Sequence, residues 1–376
     1  MQKEIFFETI IIGGGPSGSA CGIELLKKNK NCCIIDKAIF PREKVCGGLL
    51  PEKTIKLLAE IMSDKTLTDI NQAIKIDTSR SIGFYLNYKL MASSHTETTF
   101  TICDRKVLDN YLLDYYKEHG GKTYEGTFIE KIDFKNKKVY TKDKKIFSYQ
   151  YLVAADGVNS YVRKALNKKQ LKKVFFIEYD IHKKDFKYKN ELSFYDQNSK
   201  QLGWIFPKGD FYNVGLGFAK KEKSAVEITE KFLKELGVKN INNYQRKGAL
   251  LPNTTIVKPT YKHGVLFVGD AGSFSEPLTG EGIYQALYSG KMAALSIINN
   301  KNVLKEYIKS TKTLRQSKKI MGIAQFIIVK LDKHAINRLK KRPHTITRMV
   351  DGHIGKRSLK YTSIFAFIKS YKNYSK

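Results

Sequence analysis

A glycine-rich turn near the N-terminus constrains the fold of this chain more than any other feature of its sequence. Gly13, Gly15 and Gly18 match the spacing GxGxxG, and Ser17 lies inside the turn, which follows the apolar run 6–12. Such a turn lets the backbone approach a pyrophosphate, whose charge the N-terminus of the following helix stabilises. The spacing therefore predicts a nucleotide-binding strand, turn and helix.

The next elements complete that unit. Helical periodicity extends over 16–28, and a second apolar strand is predicted at 31–36. Asp36 ends that strand, where its carboxylate can accept hydrogen bonds from an adenosine ribose. A plain glycine turn is the alternative for the motif alone, but strand, helix and acid together favour dinucleotide binding.

A second acidic motif lies far along the chain. The short apolar strand 265–268 ends in Gly269-Asp270, which predicts a carboxylate beside a ribityl hydroxyl. Gly280 and Gly282 then precede a predicted helix, so that backbone N–H groups face anionic cofactor oxygens. The alternative is a surface turn that carries an aspartate.

These motifs, with Asp156-Gly157 between them, resemble the flavoprotein monooxygenase and reductase superfamily. The resemblance covers residues 1 to about 300. It implies that FAD, rather than NAD, is the tightly held cofactor.

The order of the predicted elements indicates a discontinuous nucleotide-binding domain, because nucleotide-fold elements flank a β-rich middle. We predict an α/β fold with a Rossmann-type FAD-binding domain, an inserted antiparallel β-sheet substrate domain and a helical C-terminal region. The predicted boundaries are 1–70, 100–170 and 255–300 for the FAD-binding domain, 71–99 and 171–254 for the substrate domain, and 301–376 for the basic helical region.

Three shorter segments, 40–48, 203–210 and 277–283, resemble the geranylgeranyl reductase family. That family reduces isolated double bonds in long isoprenoid chains. The resemblance implies that Arg105 contacts the cofactor phosphates. It also implies that Gly282 and Ile283 hold the flavin pyrimidine edge through their N–H groups, in agreement with the need of a reduced flavin for hydrogen-bond donors.

The same resemblance sets Cys46, Gly47 and Gly48 beside the flavin ring. Cys46 is therefore a candidate catalytic residue, although its role stays open and a lone cysteine in a loop is usually inert.

Trp204, the single tryptophan, is the second catalytic candidate. It and Phe206 are expected to wall the substrate channel, with a core aromatic pair as the alternative. The family often has a tyrosine two positions before this tryptophan, and here the residue is Leu202. This departure weakens the assignment of the usual isoprenoid substrate.

Charge indicates possible partners. The chain has 67 Lys+Arg against 36 Asp+Glu, and residues 301–376 hold 20 of the former and 3 of the latter. A basic terminus of this kind is attracted to an anionic membrane face or to nucleic acid. Without an aromatic-interleaved basic motif or a zinc pattern, nucleic acid is not expected. The alternative is a lysine-rich composition with solvated faces.

Cysteine usage and hydropathy bear on location. The five cysteines include no CxxC pair, which argues against a disulfide framework or a zinc site, and no metal is expected. No signal peptide is recognised, and no apolar run reaches the about 18 residues of a spanning helix. We expect a cytoplasmic protein, and peripheral attachment to the inner membrane face stays open.

The leading functional hypothesis is an FAD-dependent reductase of a lipophilic alkene. NADPH or a ferredoxin-like protein is the expected electron donor, because no second dinucleotide fingerprint is visible. The alternative is a flavin monooxygenase that hydroxylates an aromatic or quinone precursor. Against it, many hydroxylases resemble Gly-Asp-Ala-Ala-His where this chain has Gly-Asp-Ala-Gly-Ser at 269–273. Substrate identity, the direction of electron flow and oligomeric state are not indicated.

Overall fold

The computed structural model describes residues 4–189, 191–197, 201–218, 224–253, 264–276, 280–299 and 302–319. The strands in these ranges are β1 (Glu4–Ile12), β2 (Cys32–Ile35), β3 (Leu49–Leu50), β4 (Lys75–Leu86), β5 (Lys89–Cys103), β6 (Lys122–Tyr124), β7 (Ile129–Asp133), β8 (Lys138–Thr141), β9 (Ile146–Ala154), β10 (Lys173–His182), β11 (Leu192–Gln197), β12 (Gln201–Lys208), β13 (Phe211–Phe218), β14 (Lys247–Pro252) and β15 (Val265–Phe267).

The helices in the same ranges are α1 (Pro16–Leu26), α2 (Glu52–Ile61), α3 (Leu67–Ile74), α4 (Arg105–Glu118), α5 (Tyr161–Ala165), α6 (Ala225–Glu235), α7 (Ile283–Asn299) and α8 (Val303–Ser310). A further helical stretch covers 312–319. No helix in the described ranges combines the length and the apolar character that crossing a bilayer requires.

The first sheet carries the nucleotide-binding topology. Its strands run in the order β6, β2, β1, β9, β8, β7, and β15 pairs with β9. The pairs of β1 with β2 and β9, of β2 with β6 and of β9 with β15 are parallel. β2 and the last three residues of β1, 10–12, are apolar and buried because helices and connections cover both faces of such a sheet. The C-terminal ends of β1, β9 and β15 therefore meet at one edge.

Two helices cover one face of this sheet in close contact. At Gly290 of α7, an added Cβ would lie 2.1 Å from the carbonyl oxygen of Ser17 in α1. The close approach fixes the start of α1, which holds the first motif, against the helix that follows the second motif.

The second sheet has two different faces. Its order is β14, β10, β13, β12, β11, β4, β5, β3, with antiparallel pairing except between β4 and β11. Because side chains alternate along each strand, Ile177, Tyr179 and Val214 pack with Phe232 of α6 on one face. The other face carries aromatic and ionisable side chains.

The fold class predicted from the sequence is confirmed, with a Rossmann-type domain and a largely antiparallel second sheet. The domain boundaries stay a prediction; β3, at Leu49–Leu50, pairs with the second sheet. Of the predicted C-terminal region, 320–376 lies outside the described residues.

Candidate cofactor and substrate site

Steric constraints shape the glycine turn after β1. Gly13 has φ +110°, and a Cβ on Gly18 would lie 1.8 Å from the Gly13 carbonyl oxygen. The Gly14 N–H donates to Oδ2 of Asp36 at 2.7 Å, and the Ala38 N–H donates to Oδ1 at 2.8 Å. The Asp36 carboxylate thus braces the turn from the end of β2. Its contact with a ribose stays a prediction.

Two arginines lie next to this turn. Arg105, the first residue of α4, makes a bidentate pair with Asp109, with Nε–Oδ1 and Nη2–Oδ2 distances of 2.7 and 2.8 Å. Arg42 Nη2 lies 3.1 Å from the same carboxylate and 3.4 Å from the Cβ position that Gly15 lacks. Burial lowers the pKa of Arg105, but the Asp109 charge outweighs it and the net shift is upward. Two guanidinium groups thus share one carboxylate.

This cluster fits a dinucleotide pyrophosphate. Arg42 Nη1 is buried without a hydrogen-bond partner among the described residues, and an unpaired buried donor of this kind is rare unless a ligand meets it. A side chain at position 15 would point toward the Arg42 guanidinium, so glycine at this position leaves room for a ligand beside the guanidinium. Arg42 was not among the predicted site residues, although it stands in the segment 40–48 that carries the reductase resemblance.

The second motif forms a turn against the first. Gly269 begins the 3₁₀ turn Gly269–Gly272, and its missing Cβ would lie 2.8 Å from Oγ of Ser17. Ser275 donates its hydroxyl to Oδ1 of Asp270, and the Cβ position of Gly282 is 3.9 Å from that oxygen. The structure therefore brings Asp270 to the start of α7.

The remaining predicted residues of this motif surround the same point. Gly280 has φ +75°, and Ile283 is the first residue of α7. The Asp270 carboxylate thus lies near the start of α7, whose first N–H groups have no partner within the helix. A ribityl chain needs an acceptor and a flavin pyrimidine edge needs donors of these kinds. FAD therefore fits the residues that are present, while each individual contact stays a prediction.

The Asp-Gly motif after β9 supports both turns. Asp156 Oδ2 accepts the Val162 N–H at 3.0 Å at the start of α5, and burial raises the pKa of Asp156. Arg163, which is fully buried, donates to the Ala271 carbonyl of the second turn. The missing Cβ of Gly13 would lie 2.4 Å from the Ala155 carbonyl oxygen. The motif therefore has a structural role here.

The Cys46 loop presses against the second sheet. A Cβ on Gly47 would lie 2.9 Å from Cδ2 of Phe206. Gly48 has φ +74°, and a Cβ there would lie 2.0 Å from the Cys103 carbonyl oxygen. The Gly48 N–H contacts the Cys46 sulfur at 3.5 Å. The predicted flavin-side loop is thus in contact with the predicted substrate sheet.

Trp204 lies on the face of the second sheet that this loop meets. Its indole Nε1 donates to Oδ1 of Asn213 at 2.7 Å, and its ring lies where Gly215 has no side chain. Gly47 also approaches Asn213, since its Cβ position is 3.3 Å from Oδ1. Trp204 and the Cys46 loop therefore share a neighbour, while a catalytic role for either stays a prediction.

Aromatic side chains extend from Trp204 across this face of the sheet. Phe176, Phe194 and Phe206 are only 6, 7 and 7 % exposed, and Trp204 packs on the hydrophobic cluster that includes Phe194 and Phe206. Ring centroids are 5.7 Å apart for Trp204 and Phe176, and 5.4 Å apart both for Phe206 and Phe194 and for Phe194 and Phe84. We call this group of side chains the aromatic face; its members are Phe84, Phe176, Phe194, Trp204 and Phe206. Leu202, whose place is often a tyrosine in the resembling family, is 37 % exposed.

An ionisable cluster, missed by the sequence analysis, borders the aromatic face. Glu178 is 2 % exposed, and its Oε1 accepts the Cys46 N–H at 3.2 Å. Burial, and secondly the charge of Asp180, raises the pKa of Glu178 to about 7. Asp180 is paired with Lys208 and Lys247 at 3.3 and 3.0 Å. The only available signal was two acids alternating with apolar residues in a predicted strand.

Within the part of the chain that the structure describes, no three histidine, cysteine or acidic side chains are grouped as metal ligands. The site's charged groups are arginines, lysines and separate carboxylates.

The site and the fold define a flavin-dependent oxidoreductase. A comparison with protein families agrees: residues 7–288 match the FAD binding domain, and the chain belongs to that family. It is an FAD-dependent oxidoreductase.

More specific similarities lie with geranylgeranyl reductases, and they confirm the resemblance of the short segments. The chain is 28% identical to the digeranylgeranylglycerophospholipid reductase of Methanocaldococcus jannaschii, over 80% of this chain and 81% of that protein. It is 25% identical to the geranylgeranyl diphosphate reductase of Rhodobacter capsulatus, over 77% and 74%. A geranylgeranyl bacteriochlorophyll reductase-like protein from Thermoplasma acidophilum shares the fold, with a TM-score of 0.78, 18% identity, and coverage of 90% and 91%.

Proposed function

We propose that this enzyme reduces carbon–carbon double bonds of an isoprenoid or another lipophilic chain. One observation carries the proposal: the aromatic face abuts the Cys46 loop, through the contacts of Gly47 with Phe206 and Asn213. An apolar chain on that face would reach the flavin side of the loop while buried from water. Reduced FAD, when bound, supplies a hydride.

The residues described above have separate tasks in this proposal. Arg42 and Arg105 hold the pyrophosphate, Asp36 the ribose and Asp270 the ribityl chain. The aromatic face aligns the alkene, which must lie roughly 3–3.5 Å from the hydride donor for productive transfer. Aromatic side chains suit this task because they offer large apolar surfaces without unsatisfied polar groups; the Trp204 N–H is already bonded to Asn213.

The substrate class is supported by two kinds of similarity. The relatives from Methanocaldococcus and Rhodobacter are named for a geranylgeranyl phospholipid and a geranylgeranyl diphosphate. Both names share the isoprenoid chain and differ in the polar head. We therefore assign the chain to the aromatic face and leave the head group unassigned.

The electron donor in this proposal is NADPH or a ferredoxin-like protein. The sequence supports it, because one dinucleotide fingerprint is visible there and FAD accounts for that fingerprint. A nicotinamide donor would thus bind transiently.

The purified protein tests the proposal directly. It should be yellow, and Asp270→Ala should lose FAD because a carboxylate acceptor beside the start of α7 is removed. Chemically reduced enzyme, mixed without oxygen with geranylgeranyl lipids, should regain oxidised-flavin absorbance. Mass spectrometry should show two added hydrogens per double bond.

Two outcomes would overturn the proposal. A colourless protein that cannot be reconstituted with FAD would disprove FAD binding, on which the proposal depends. Reduced enzyme that ignores every isoprenoid, but consumes oxygen when a phenol or quinone precursor is added, would establish a monooxygenase instead.

A further inference from the structure

Glu178 lies where the Cys46 loop meets the aromatic face. Its Oε1 is engaged by the Cys46 N–H, whereas Oε2 is buried without a hydrogen-bond partner among the described residues. It follows Phe176 by two positions on β10, so both side chains belong to the same face. A buried carboxylate oxygen without a partner is costly. Its placement therefore calls for a proton, a ligand or both.

We propose that Glu178 is the general acid that protonates the substrate alkene, an inference that rests on the proposed reductase function. The hydride supplied by the reduced flavin forms a C–H bond at one alkene carbon. The π electron pair forms the second C–H bond with the proton of Glu178 Oε2. The alkene ends saturated, the flavin oxidised and Glu178 a carboxylate.

The electrostatic surroundings favour a protonated Glu178. Asp180 lies two residues away on β10, and its negative charge faces the same region. Lys208 of β12 and Lys247 of β14 both pair with Asp180, and the Cys46 thiol lies on the loop. Burial, and secondly the Asp180 charge, raise the pKa of Glu178 to about 7, although the Lys208 charge and hydrogen bonds from Asn213 and the Cys46 N–H oppose the rise. An acid with a pKa near the working pH is the most effective proton donor.

Lys247 of β14 lies opposite Glu178 in the register of β10 and β14. Asp180 and Lys247 are both partly exposed, and their paired atoms lie 3.0 Å apart. In this proposal the proton is renewed by solvent from the β14 side. Glu178 itself is protected from bulk water.

The deciding experiment compares wild type with Glu178→Gln, both loaded with FAD. Glutamine keeps the size of the side chain and an oxygen for the Cys46 N–H, but its amide is not an acid. Anaerobic single-turnover reoxidation of the flavin by an isoprenoid lipid is measured between about pH 5 and about pH 9. We expect the variant to be slower by about 10²–10⁴-fold, the usual contribution of general acid catalysis.

The pH profile separates an acid from a structural residue. The wild-type rate should fall as pH rises through about 7, because Glu178 loses its proton. The residual Glu178→Gln rate should lack that limb. Glu191→Gln is the matched control: Glu191 is also buried, but its carboxylate bonds Tyr85 and Ser193, and Tyr85 stacks with Tyr195 on the opposite face. It should keep the wild-type rate and profile.

A second measurement needs no substrate. A raised carboxyl pKa stabilises the folded state most at low pH, and this contribution is lost as pH rises through the folded-state pKa. The Tm of wild type should therefore fall relative to that of Glu178→Gln as pH rises from about 4.5 to about 7.

The outcomes are distinguishable. If wild type is active and Glu178→Gln is equally active, the acid role is overturned but the reductase function is not. The same holds if the variant's rate still falls as pH rises through about 7. A parallel pH dependence of the two Tm values overturns the acid role as well. A wild type that reduces no isoprenoid overturns the proposed function, and with it the acid role in this reaction.

Discussion

Several glycines of the site occupy positions where a larger residue would collide with backbone. Gly18 is the sharpest case, since its Cβ would lie 1.8 Å from the carbonyl oxygen of Gly13. Backbone cannot move aside as the end of a flexible side chain can. Gly13 and Gly48 add positive φ angles of +110° and +74°, which side chains rarely adopt.

Gly18→Ala should therefore disrupt the turn and abolish FAD retention. The methyl group forces the helix start away from Gly13, and the pyrophosphate cradle opens. Flavin absorbance per protein after gel filtration measures the effect. Gly120→Ala is the control: its φ is +86° but nothing lies within 4 Å of its Cβ position. It should keep FAD and lose only about 1–2 kcal/mol of unfolding free energy from strain. Full FAD content in Gly18→Ala would contradict the role of the turn.

Cys46→Ala should keep FAD but alter alkene turnover or the pattern of products. The thiol contacts the Gly48 N–H, and neither the arginine pair nor the second motif depends on it. Steady-state rates and product masses on an accepted isoprenoid are the readout. Cys33→Ala, which removes a thiol buried in β2, serves as the comparison and should behave as wild type. Unchanged kinetics in Cys46→Ala would return this cysteine to a structural role.

At the scale of elements, apolar runs predicted β1, β2 and β15 of the first sheet, whereas β6, β7 and β8 were not predicted. The apolar runs that form β1, β2 and β15 are bounded by glycine or by an acidic residue. Glycine is unfavourable inside a strand, and a charged side chain is unfavourable in a buried one. The ends were less accurate: the helix expected over 16–28 stops at Leu26. The pairing of β3 with β5 could not be predicted, because two residues carry no periodicity.

A buried polar contact joins helix α8 to the nucleotide-binding sheet. The Tyr307 hydroxyl donates to the Phe267 carbonyl at 2.8 Å, and the side chain is 0 % exposed. Tyr307→Phe leaves that buried carbonyl unsatisfied and should reduce the unfolding free energy by about 1–3 kcal/mol. Urea unfolding measures this loss.

Tyr161→Phe provides the matched comparison for this helix contact. Its hydroxyl also donates to a carbonyl, that of Glu130, but Tyr161 is 37 % exposed. Water can replace the lost bond, so the stability change should stay within about 0.5 kcal/mol. Equal losses in the two variants would mean that burial of the α8 contact contributes nothing.

On the scale of the whole molecule, the sequence alone predicted that the two cofactor motifs lie together. It did not predict that the second sheet contacts the Cys46 loop. Both motifs follow predicted strands, so their meeting at Ser17 and Gly269 follows from the topology of parallel strands. The meeting of Glu178, Asn213 and Cys46 depends on the register of β10 and β13 and on the path of the Cys46 loop. A single sequence contains no signal for such cross-strand register.

The basic C-terminal region divides at the limit of the described residues. Through Lys319 it packs on the flavin domain: Lys318 is buried, donates to Ser273, and has its pKa lowered to about 8 by burial, against the opposing charges of Asp270 and Glu276. Lys318 is therefore not available to a membrane, whereas Ile308 and Lys309 of α8 are exposed. The spacing of the apolar residues Ile320, Ile323, Phe326 and Ile327 predicts that they share one helical face. They lie outside the described residues. Membrane contact by the region from about Val303 onward stays a prediction.

We predict that the full-length enzyme binds anionic vesicles and releases them at high salt. The basic residues after Lys319 would attract acidic lipid by about 1 kcal/mol each, and at 1 M salt the Debye length falls to about 3 Å. Changing Lys330, Lys333 and Arg338 together to glutamine should weaken co-sedimentation by about a hundredfold. The same change at three exposed lysines of the first sheet and its loops, Lys131, Lys135 and Lys142, should have little effect. Equal binding to neutral and anionic vesicles, or binding to neither, would contradict electrostatic attachment to a membrane. The basic region would then have only a packing role.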